Sequence, residues 1–423
     1  MSELVVERNP GETRIAIREG GRTVELRFDR SVSASRIGEI HLARVVRVEA
    51  GIGAFLDIGE PAQAFLPEAG ERVVEGSAIA VQVVADAIAG KGPEVTRLLV
   101  LDGGALALTA GQPGFSISRR LPESERKRLR ARLKPLLGEQ APGMIVRTSA
   151  RENDDLEAMW KQLLDEWREV ERRLKAKPPL RLWVPPDLVT QLLRRQTPET
   201  AIVGDSATAA MLRADCVVEK VENPFEALGI EDEIARALAR EIEIPGGRLV
   251  VEEGETLTAI DVNGHGDRLS LCLAAAREVG NLIRLRNLGG TLLADFPNVE
   301  GKRSRAKIEA ALKEAVRHDP LGVECLGWTR TGLYEMTRPK RGPTLAAMLW
   351  EQPRSRLTVE AAALAALRVL DRAEGGKLRL LASPEVIAWL EGAGAAALAD
   401  AGRAVALVAD AGYARERFEV VRD

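Results

Sequence analysis

Hydrophobic and polar residues alternate in short runs along the N-terminal part of the chain, a pattern typical of β-strands. Two such runs flank Gly20 and Gly21 in TRIAIREGGRTVELRF, which predicts a β-hairpin. Because a hairpin this short is not stable alone, we expect it to pair with strands from elsewhere in the chain. From residue 36 to residue 109, short runs follow one another closely and predict a small all-β barrel: IHLARVVRVE, GAFLDIG, AFLPEAG, AIAVQVVAD and ALALTA.

The same alternation predicts which side chains of the barrel face outwards. The hydrophobic residues of AFLDI share one face, so Phe55 lies with Asp57 on the polar face, and Phe65 shares its face with Gln63. Aromatic residues make up only 4% of the chain, so two phenylalanines on a polar face are candidates for stacking with nucleic-acid bases. Ordinary packing at the barrel rim explains the pattern equally well.

A basic segment follows the barrel. Between residues 119 and 151 there are ten Lys or Arg and three acidic residues, a local charge of +7. Leu129 and Leu133 keep helical spacing, so the charges decorate the outer face of an amphipathic helix, for which a solvated surface is the usual explanation. The segment continues into the strand MIVRTSA, where Arg147 and Thr148 place a guanidinium beside a hydroxyl. That combination suits the binding of a phosphate group.

The remaining chain alternates between helical and strand patterns. A long amphipathic helix is predicted over residues 153–175, and the elements over 182–244 are expected to complete the N-terminal sheet. An α/β region covers about 246–336, and a polar linker lies near 338–356. Residues 357–423 show a helix–strand–helix–strand order, which is typical of a small α/β domain.

Two hydrophobic strands of the α/β region close on an aspartate. LTAID ends at Asp261 and GGTLLAD ends at Asp295, with one predicted helix between them, so the strands can be neighbours in a βαβ unit. Functional sites in such sheets lie at the carboxyl ends of the strands. Two carboxylates at that place repel each other unless a bound cation or a shared proton compensates their charge. Oxygen ligands suit Mg²⁺ or Mn²⁺, and Asn263 shares the face of Asp261. Alternatively, each aspartate caps a helix or a turn.

The helix predicted after Asp295 begins with four cations, which are Lys302, Arg303, Arg305 and Lys307. Cations at a helix N-terminus oppose the helix dipole, so a bound polyanion explains them better than helix stability does. Two strand-end aspartates, Asn263 and this basic turn together favour a metal-assisted phosphodiesterase over two unrelated caps.

Composition narrows the setting. The 423 residues exceed one ordinary core and predict two to four domains, and the net charge of −3 means that any affinity for nucleic acid must come from local patches. Cys216, Cys272 and Cys325 are isolated and form no CxxC pair, which fits a reducing, cytoplasmic setting. The charged N-terminus does not resemble a signal peptide, and no hydrophobic run reaches membrane-spanning length.

Several stretches together resemble the catalytic half of the ribonuclease E/G family and occur in the family's order from about residue 36 to residue 338: ARVVRVEAGIGAFLDIG, AFLP, ISRR, IVRT, LTAIDVN, LIRLRNLGGTLLADF, KEAVRHD and RTGLYEMTR. The resemblance implies an α/β multidomain fold. In that fold a ribonuclease-H-like scaffold is interrupted by an S1 (OB-type) β-barrel and a 5′-sensor, and a DNase-I-like α/β catalytic region and a small α/β domain follow. The implied bounds are 1–35 and 182–245 for the scaffold, 36–109 for the barrel, 110–181 for the sensor, 246–340 for the catalytic region, 341–356 for a linker and 357–423 for the small domain.

The resemblance also implies a reaction. Asp261 and Asp295 are expected to hold Mg²⁺ and Asn263 to orient the reacting groups, so that an activated water cleaves single-stranded RNA into 5′-phosphate and 3′-hydroxyl ends. Arg147 and Thr148 match the pair that grips a 5′-monophosphate. The other residues expected to contact RNA are Phe55, Phe65, Lys91, Arg119, Arg120, Lys302, Arg303 and Arg330.

Three features depart from the family pattern. Where the family has a CPxC-type zinc link, this chain reads TRPKRGPTLAAMLWEQP, so we expect no structural zinc, and a homodimer would rest on apolar contacts. The loop after Asn263 is shorter than in the family, and Asn298 stands where an acidic residue is frequent. The sequence therefore predicts a Mg²⁺-dependent endoribonuclease that cleaves single-stranded RNA. The alternative is an RNA-binding protein of the same fold with little or no nuclease activity.

Overall fold

The structure is a computed structural model that describes residues 2–68, 73–88, 90–138, 142–153, 155–195, 198–213, 216–351, 356–375 and 377–422. The chain forms two compact units, one made of Met1–Ala34 and Glu199–Asp423 and the other of Ser35–Pro198. The second unit is therefore an insertion into the first. No helix among the described residues is long and apolar enough to cross a membrane.

The elements of the described residues are as follows. The strands are β1 (Ser2–Asn9), β2 (Glu12–Glu19), β3 (Arg22–Arg30), β4 (Ile40–Glu49), β5 (Gly53–Asp57), β6 (Ala64–Pro67), β7 (Ala78–Ala85), β8 (Glu94–Thr96), β9 (Leu99–Asp102), β10 (Leu106–Ala110), β11 (Phe115–Ile117), β12 (Gly143–Val146), β13 (Leu180–Trp183), β14 (Thr200–Val203), β15 (Val217–Lys220), β16 (Glu241–Ile244), β17 (Gly247–Glu253), β18 (Leu257–Gly264), β19 (Gly290–Asp295), β20 (Glu324–Trp328), β21 (Tyr334–Arg338), β22 (Leu378–Ala382), β23 (Val405–Ala409) and β24 (Phe418–Arg422). The helices are α1 (Glu123–Leu133), α2 (Leu156–Arg173), α3 (Leu188–Arg195), α4 (Ser206–Leu212), α5 (Pro224–Ala227), α6 (Ile230–Leu238), α7 (Arg268–Leu285), α8 (Lys302–Ala315), α9 (Leu345–Leu349), α10 (Val359–Arg372), α11 (Pro384–Glu391) and α12 (Ala395–Asp400).

The N-terminal hairpin belongs to a five-stranded sheet with the order β15-β14-β1-β2-β3. β1 pairs with β14 in parallel, from Glu3 opposite Thr200 to Val6 opposite Val203. Val5 is fully buried in the core below this sheet, together with Phe225. The predicted hairpin is formed by β2 and β3, and β1 connects it to the distant strands β14 and β15, so the prediction that distant strands complete this sheet is confirmed.

The inserted unit contains a closed five-stranded barrel of the order β4-β5-β6-β8-β7, in which β7 pairs back onto β4. This architecture is consistent with an S1 (OB-type) domain, and the fold as a whole is mixed α/β as predicted. The alternation is also confirmed, because Ala54, Leu56 and Ile58 are buried in the barrel core, whereas Phe55 is only half-buried.

The prediction that ALALTA belongs to the barrel is wrong. The run ALALTA forms β10, which lies outside the barrel in a four-stranded sheet with the order β11-β12-β10-β9. All five residues of β10 are buried, with α2 packed against the strand. A strand buried on both faces has no alternation to distinguish it from a barrel strand, which explains the error. The short barrel strand β8 is not predicted by the sequence pattern either.

The predicted long helix is confirmed as α2, whose buried residues include Leu156, Trp160 and Trp167. It packs with α1 against the four-stranded sheet and shares one core with it. This packing fixes the end of β12, after which Arg147 follows directly.

The α/β region forms a six-stranded sheet with the order β16-β17-β18-β19-β21-β20. β18 and β19 are parallel neighbours joined through α7, so the predicted βαβ unit is confirmed. α7 and α8 contribute Cys272, Val279 and Ile308 to the core that also buries Ile260 and Ala294. One face of β18 and β19 is therefore covered by helices, and alternate residues point to the other face.

The tail is a small α/β domain in which β22 lies between β23 and β24, and α10 and α11 complete its core. This matches the predicted helix–strand–helix–strand order; the structure adds the short helix α12 after α11, and the run FEVVRD at the end of the tail forms the strand β24. The segment predicted as a linker is not wholly irregular, because it contains α9, whose Leu345 and Ala346 are buried. Residues 352–355 of that segment lie outside the described residues.

Candidate active site and RNA-binding surfaces

Asp261 and Asp295 face each other across adjacent strands. They are register partners in the parallel pair of β18 and β19, so their backbones are separated by the strand spacing of about 4.8 Å. Their neighbours Ile260, Val262 and Ala294 are buried against the helices, and strict alternation therefore exposes both carboxylates. The sequence pattern predicts that the first strand ends at Asp261, whereas β18 continues to Gly264.

Asn263 lies two residues beyond Asp261 on the same exposed face, as predicted. Its Nδ2 donates a hydrogen bond of 2.6 Å to Oδ2 of Asp261. This contact fixes the orientation of one carboxylate and leaves its other oxygen unoccupied by Asn263. The prediction that these three polar side chains lie together at one edge of the sheet is confirmed.

The capping alternative does not describe these aspartates. Asp267 is the N-cap of α7, accepting hydrogen bonds from the backbone N–H groups of Leu269 and Ser270, and Gly301 is the N-cap of α8. Hydrogen bonds, first from the Ser270 hydroxyl and then from the Leu269 backbone, lower the pKa of Asp267, as expected for a carboxylate that caps a helix. Within the described residues no backbone N–H donates to Asp261 or Asp295.

The two carboxylates also have no ion-pair partner in the part of the chain that the structure describes. Within the described residues neither Asp261 nor Asp295 forms an ion pair with Lys, Arg or His. The same part of the chain contains no group of three or more His, Cys, Asp or Glu side chains placed to hold a metal ion. A divalent cation at this edge would therefore have two carboxylate ligands and would complete its coordination with water and phosphate oxygens, as Mg²⁺ commonly does.

A groove of about 520 Å³ lies over the aspartates. It is lined by Asp261, Val262, Asp295, Phe296, Pro297, Asn298, Val299, Arg305, Trp328, Thr329, Arg330, Thr331 and Gly332. Arg330, which the sequence analysis placed near the RNA path, is exposed in this lining. Lys302 and Arg303 are exposed in the first turn of α8 and do not line the groove. Anionic and cationic groups thus face the same space.

Trp328 is half-buried in the groove lining and is not among the site residues that the sequence predicts. Its ring contacts the rings of Phe296 and Tyr334 edge to face, with centroids 5.9 Å and 5.2 Å away. The guanidinium of Arg305 lies 5.4 Å from the Trp328 ring centroid. Trp328 directly precedes TRTGLYEMTR, and a tryptophan next to a motif of the catalytic region was the only signal available.

Phe55 and Phe65 form one aromatic surface on the outside of the barrel. They are cross-strand partners, their ring centroids are 5.5 Å apart, and both side chains are half-buried. The guanidinium of Arg47, which pairs with Phe55 across β4 and β5, lies 4.6 Å from the Phe55 ring. Lys91 is exposed in the loop that leads to β8. The predicted outward orientation of both rings is confirmed, and Arg47 is an addition that sequence alternation did not single out.

Arg147 and Thr148 lie in a corner with Asp102, Ser118 and Arg195, which we call the phosphate-binding corner after the role that is proposed for it below. Asp102 Oδ2 accepts contacts from Nη2 of Arg147 at 3.0 Å and from Nη2 of Arg195 at 3.5 Å. The hydroxyls of Thr148 and Ser118 are 3.2 Å apart. Two guanidinium groups therefore meet at one carboxylate, the two hydroxyls meet each other at the residue that follows Arg147, and all five side chains are at least partly exposed. The next residues after Ser118, Arg119 and Arg120, are exposed.

The basic helix α1 is different, because most of its charge is balanced locally. Arg126 pairs with Glu123, Arg128 with Glu125 at 2.9 Å, and Arg132 with Glu157. These contacts favour the solvated-surface interpretation for α1 and restrict the anion-binding interpretation to the strand end at Arg147.

Comparison with known proteins agrees with this architecture. A model of the "Ribonuclease E/G family" matches residues 100–341, and the chain belongs to that family. Ribonuclease G of Salmonella typhimurium (strain SL1344) is 27% identical over 99% of this chain and 99% of its own length. Ribonuclease G of Haemophilus influenzae is 29% identical over 83% of this chain and 82% of its length, and ribonuclease E of Escherichia coli (strain K12) is 27% identical over 79% of this chain and 36% of its length.

The family and its members identify the chain as an endoribonuclease of the ribonuclease E/G type. Its substrate class is therefore RNA, and the groove over Asp261 and Asp295 lies inside the matched range. The prediction of the family from the sequence motifs is confirmed.

Proposed function

We propose that this chain hydrolyses single-stranded RNA at the edge of the sheet where Asp261 and Asp295 face each other, with Mg²⁺ as the cofactor and Mn²⁺ as a substitute. The observation that carries the proposal is the in-register pair of exposed carboxylates, for which the described residues provide no ion-pair partner. When bound, a divalent cation supplies positive charge for the phosphate and lowers the pKa of water.

The residues present fit such an ion. The donor set consists of hard oxygen atoms from two carboxylates, which is the ligand chemistry of Mg²⁺ rather than of softer metals. Asn263 holds Asp261 by a hydrogen bond of 2.6 Å and adds no charge. Asp261 and Asp295 are the metal ligands in this proposal, and Asn263 positions Asp261.

The reaction is a displacement at phosphorus. A water molecule attacks the scissile phosphate, the bond to the 3′-oxygen breaks, and the products carry a 5′-phosphate and a 3′-hydroxyl. Arg330, exposed in the same groove, supplies a cation for the phosphates of the bound strand, and Lys302 and Arg303 supply further positive charge nearby.

The phosphate-binding corner is proposed to sense the 5′ end of the substrate. A terminal monophosphate offers more free oxygens and more charge than a hydroxyl end, so a bidentate guanidinium such as that of Arg147 distinguishes the two. The Thr148 hydroxyl provides an adjacent donor, and Arg119 and Arg120 provide charge for the following phosphates. The Phe55–Phe65 surface and Lys91 are proposed to bind the bases and backbone of the same class of single strand.

The finer fold assignment belongs to the same proposal. The five-stranded sheet of β1–β3 with β14 and β15 corresponds to the ribonuclease-H-like scaffold, the four-stranded sheet to the 5′-sensor, and the six-stranded sheet to the DNase-I-like region. This assignment is supported by the order of the three sheets along the chain, which agrees with the order of the family motifs in the sequence.

The decisive test is cleavage of a 5′-monophosphorylated, single-stranded oligonucleotide by the purified chain, followed by analysis of the product ends. We expect cleavage that EDTA abolishes and that excess Mg²⁺ restores. RNA binding without cleavage under all metal conditions would support the alternative of an RNA-binding protein with little nuclease activity. Cleavage that persists in EDTA would refute the metal proposal while leaving the endoribonuclease assignment intact.

A further inference from the structure

An aromatic side chain is held in place beside the aspartates. Phe296 directly follows Asp295, and its ring contacts the ring of Trp328. Tyr334 contacts Trp328 from another side and is itself fully buried between β19 and β20. Edge-to-face contacts with two neighbours fix the plane of the indole, while the side chain remains half-buried in the lining of the groove. Trp328 is therefore an oriented aromatic surface that borders the same space as both carboxylates.

A planar cation faces that surface. Arg305 lies in the first turns of α8, is exposed, and lines the groove, with its guanidinium 5.4 Å from the Trp328 centroid. Within the described residues Arg305 forms no ion pair, unlike Lys313 farther along α8, which pairs with Glu309 at 2.5 Å. An aromatic ring and an unpaired guanidinium that share one face are the groups with which proteins stack nucleobases of single strands.

The distance to the reaction site suits a nucleotide close to the cleaved bond. β20, which carries Trp328, is separated from β19 by β21 alone, so Trp328 and the strand of Asp295 are two strand spacings apart, roughly 10 Å. That length corresponds to about three nucleotides in a stacked strand, at 3.4 Å each, and to fewer in an extended one.

We propose that Trp328 and Arg305 form a base-binding subsite that stacks one nucleobase within about three nucleotides of the scissile phosphate. This inference rests on the proposed function, because it takes the cleaved bond to lie at Asp261 and Asp295. The subsite makes cleavage depend on the presence of a base at one position of the substrate, and it tolerates different bases because stacking uses the π-face that every base has.

The competing explanation is that Trp328 only covers the core formed by α7, α8 and the sheet, against which it also packs. The two explanations differ in one respect. A packing residue affects all substrates equally, whereas a stacking residue affects only substrates that carry a base at the matching position.

The experiment therefore combines variants of the protein with abasic substrates. A single-stranded RNA with one cleavage site is made in versions that each lack the base at one position, from three nucleotides before the site to three after it. Affinity is measured in EDTA by anisotropy of a fluorescent label, and cleavage rates are measured with Mg²⁺. For wild type, we expect one abasic position to weaken binding about 5- to 150-fold, the range of a single base–aromatic stack.

Trp328→Ala should weaken binding of the intact RNA by a similar factor and should lose sensitivity to that one abasic position only. Trp328→Phe should retain most of the affinity and the positional effect, which separates stacking from the loss of the core contact. Arg305→Ala should show a smaller effect at the same position, and Lys313→Ala, which removes an ion-paired cation from the same helix, should behave like wild type. Thermal unfolding of each variant checks that the fold is retained.

The proposal is overturned if no abasic position affects wild-type binding, or if Trp328→Ala weakens binding equally for every substrate while positional sensitivity persists. Because affinity is measured in EDTA, a failure of the metal proposal appears separately, as RNA that is cut in the EDTA samples. If the wild-type protein binds the RNA with the expected dependence on one abasic position but does not cleave it with Mg²⁺, the result counts against the proposed role of Asp261 and Asp295. It does not count against the base-binding subsite.

Discussion

Asp295 in the groove and Arg147 in the phosphate-binding corner are both charged side chains at the end of a strand, but their surroundings differ. Asp295 lies opposite a second carboxylate, and no protein cation within the described residues balances the pair. Arg147 is already paired with Asp102 at 3.0 Å, and Arg195 approaches the same carboxylate. The carboxylate pair therefore carries negative charge that no ion pair within the described residues balances, which favours a bound cation, whereas in the corner a ligand must compete with a carboxylate of the protein.

This contrast bears on selectivity. A site with unbalanced charge binds any suitable counter-ion, and its geometry and ligand type determine which one. A site that already contains an ion pair favours the ligand with the higher charge, because only a strong anion displaces the internal partner. We therefore expect the groove to govern whether RNA is cleaved, and the corner to govern which RNA ends are preferred.

The largest expected effect is that of Asp295→Asn. The change keeps the shape of the side chain and removes a hard anionic ligand, so cleavage should fall by about 100-fold or more, while RNA affinity stays close to wild type. The free energy of unfolding should stay the same or rise slightly, because repulsion between the carboxylates is lost. Mg²⁺-dependent cleavage, RNA affinity and thermal stability are measured on the same protein.

The matched control for that variant is Asp267→Asn, which removes an equal charge from the loop next to the site. Asp267 caps α7, and asparagine caps nearly as well, so stability should change by about 1 kcal/mol or less and cleavage should remain near normal. Near-normal cleavage by Asp295→Asn would end the metal-site hypothesis.

Arg147→Ala tests the other side of the comparison. Loss of a charged hydrogen-bonding partner for the phosphate should remove the preference for 5′-monophosphate over 5′-hydroxyl RNA, an effect of about 1.5–3 kcal/mol, while cleavage of 5′-hydroxyl RNA is spared. Cleavage rates for the two substrates are compared in wild type and variant. Arg168→Ala, which removes an exposed arginine paired with Asp165 on α2, is the control and should keep the preference. If wild type shows no preference, the 5′-sensing proposal is wrong.

Phe55→Ala and Phe65→Ala should each weaken binding of single-stranded RNA by about 1–3 kcal/mol. Because the two rings contact each other at 5.5 Å, the double variant should lose less than the sum of the single losses. The control is Ile52→Ala, since Ile52 is 57% exposed at the same barrel and offers no aromatic ring. Unchanged affinity in both single variants with an intact fold would assign the rings to packing at the barrel rim.

Asp102→Asn should have a smaller effect and should change the affinity for RNA ends by only a few-fold. Without its internal partner, the corner should bind RNA ends more tightly in general and should discriminate less between 5′-monophosphate and 5′-hydroxyl ends. Affinities for the two substrates at several salt concentrations measure both changes. A larger preference for the monophosphate in this variant would contradict the competition described above.

The last prediction concerns zinc, for which we expect no effect at all. The segment TRPKRGPTLAAMLWEQP lacks Cys and His, and Cys216, Cys272 and Cys325 are far apart in sequence, so we expect no stoichiometric zinc in the purified protein. Elemental analysis after exhaustive dialysis provides the measurement. One zinc per chain or per two chains would refute this expectation and would require ligands other than those of the family's link.

The catalytic edge was predictable from the sequence, because its geometry is local. Alternation in β18 and β19 determines that Asp261, Asn263 and Asp295 are exposed, and the single helix between the strands makes them neighbours. The family motifs then supplied the expected roles. The alternation of hydrophobic and polar residues was almost sufficient to predict the positions of these side chains.

The partners of these residues were not predictable, because they come from distant parts of the chain. Asp102 meets Arg195 across 93 residues, and Trp328 meets Phe296 and Arg305 only after β20 and β21 have joined the sheet. β10 was misplaced for a related reason, since a strand that is buried on both sides gives no periodic signal of its neighbours.

The parallel pairing of β1 with β14 has a consequence for synthesis of the chain. The strands β1, β2 and β3 are complete once Arg30 has been made, but the strand that pairs with the free edge of β1 begins at Thr200, about 170 residues later. At roughly 5–20 residues per second, the ribosome needs on the order of 10–30 s to supply it. During that time β1 has an open edge and the side chains of Val5 and Val6 lack their final cover, while the whole inserted unit emerges and can fold. The nascent chain therefore carries an exposed strand that invites pairing with other chains, and its protection until Thr200 emerges is a task for chaperones or for speed of translation.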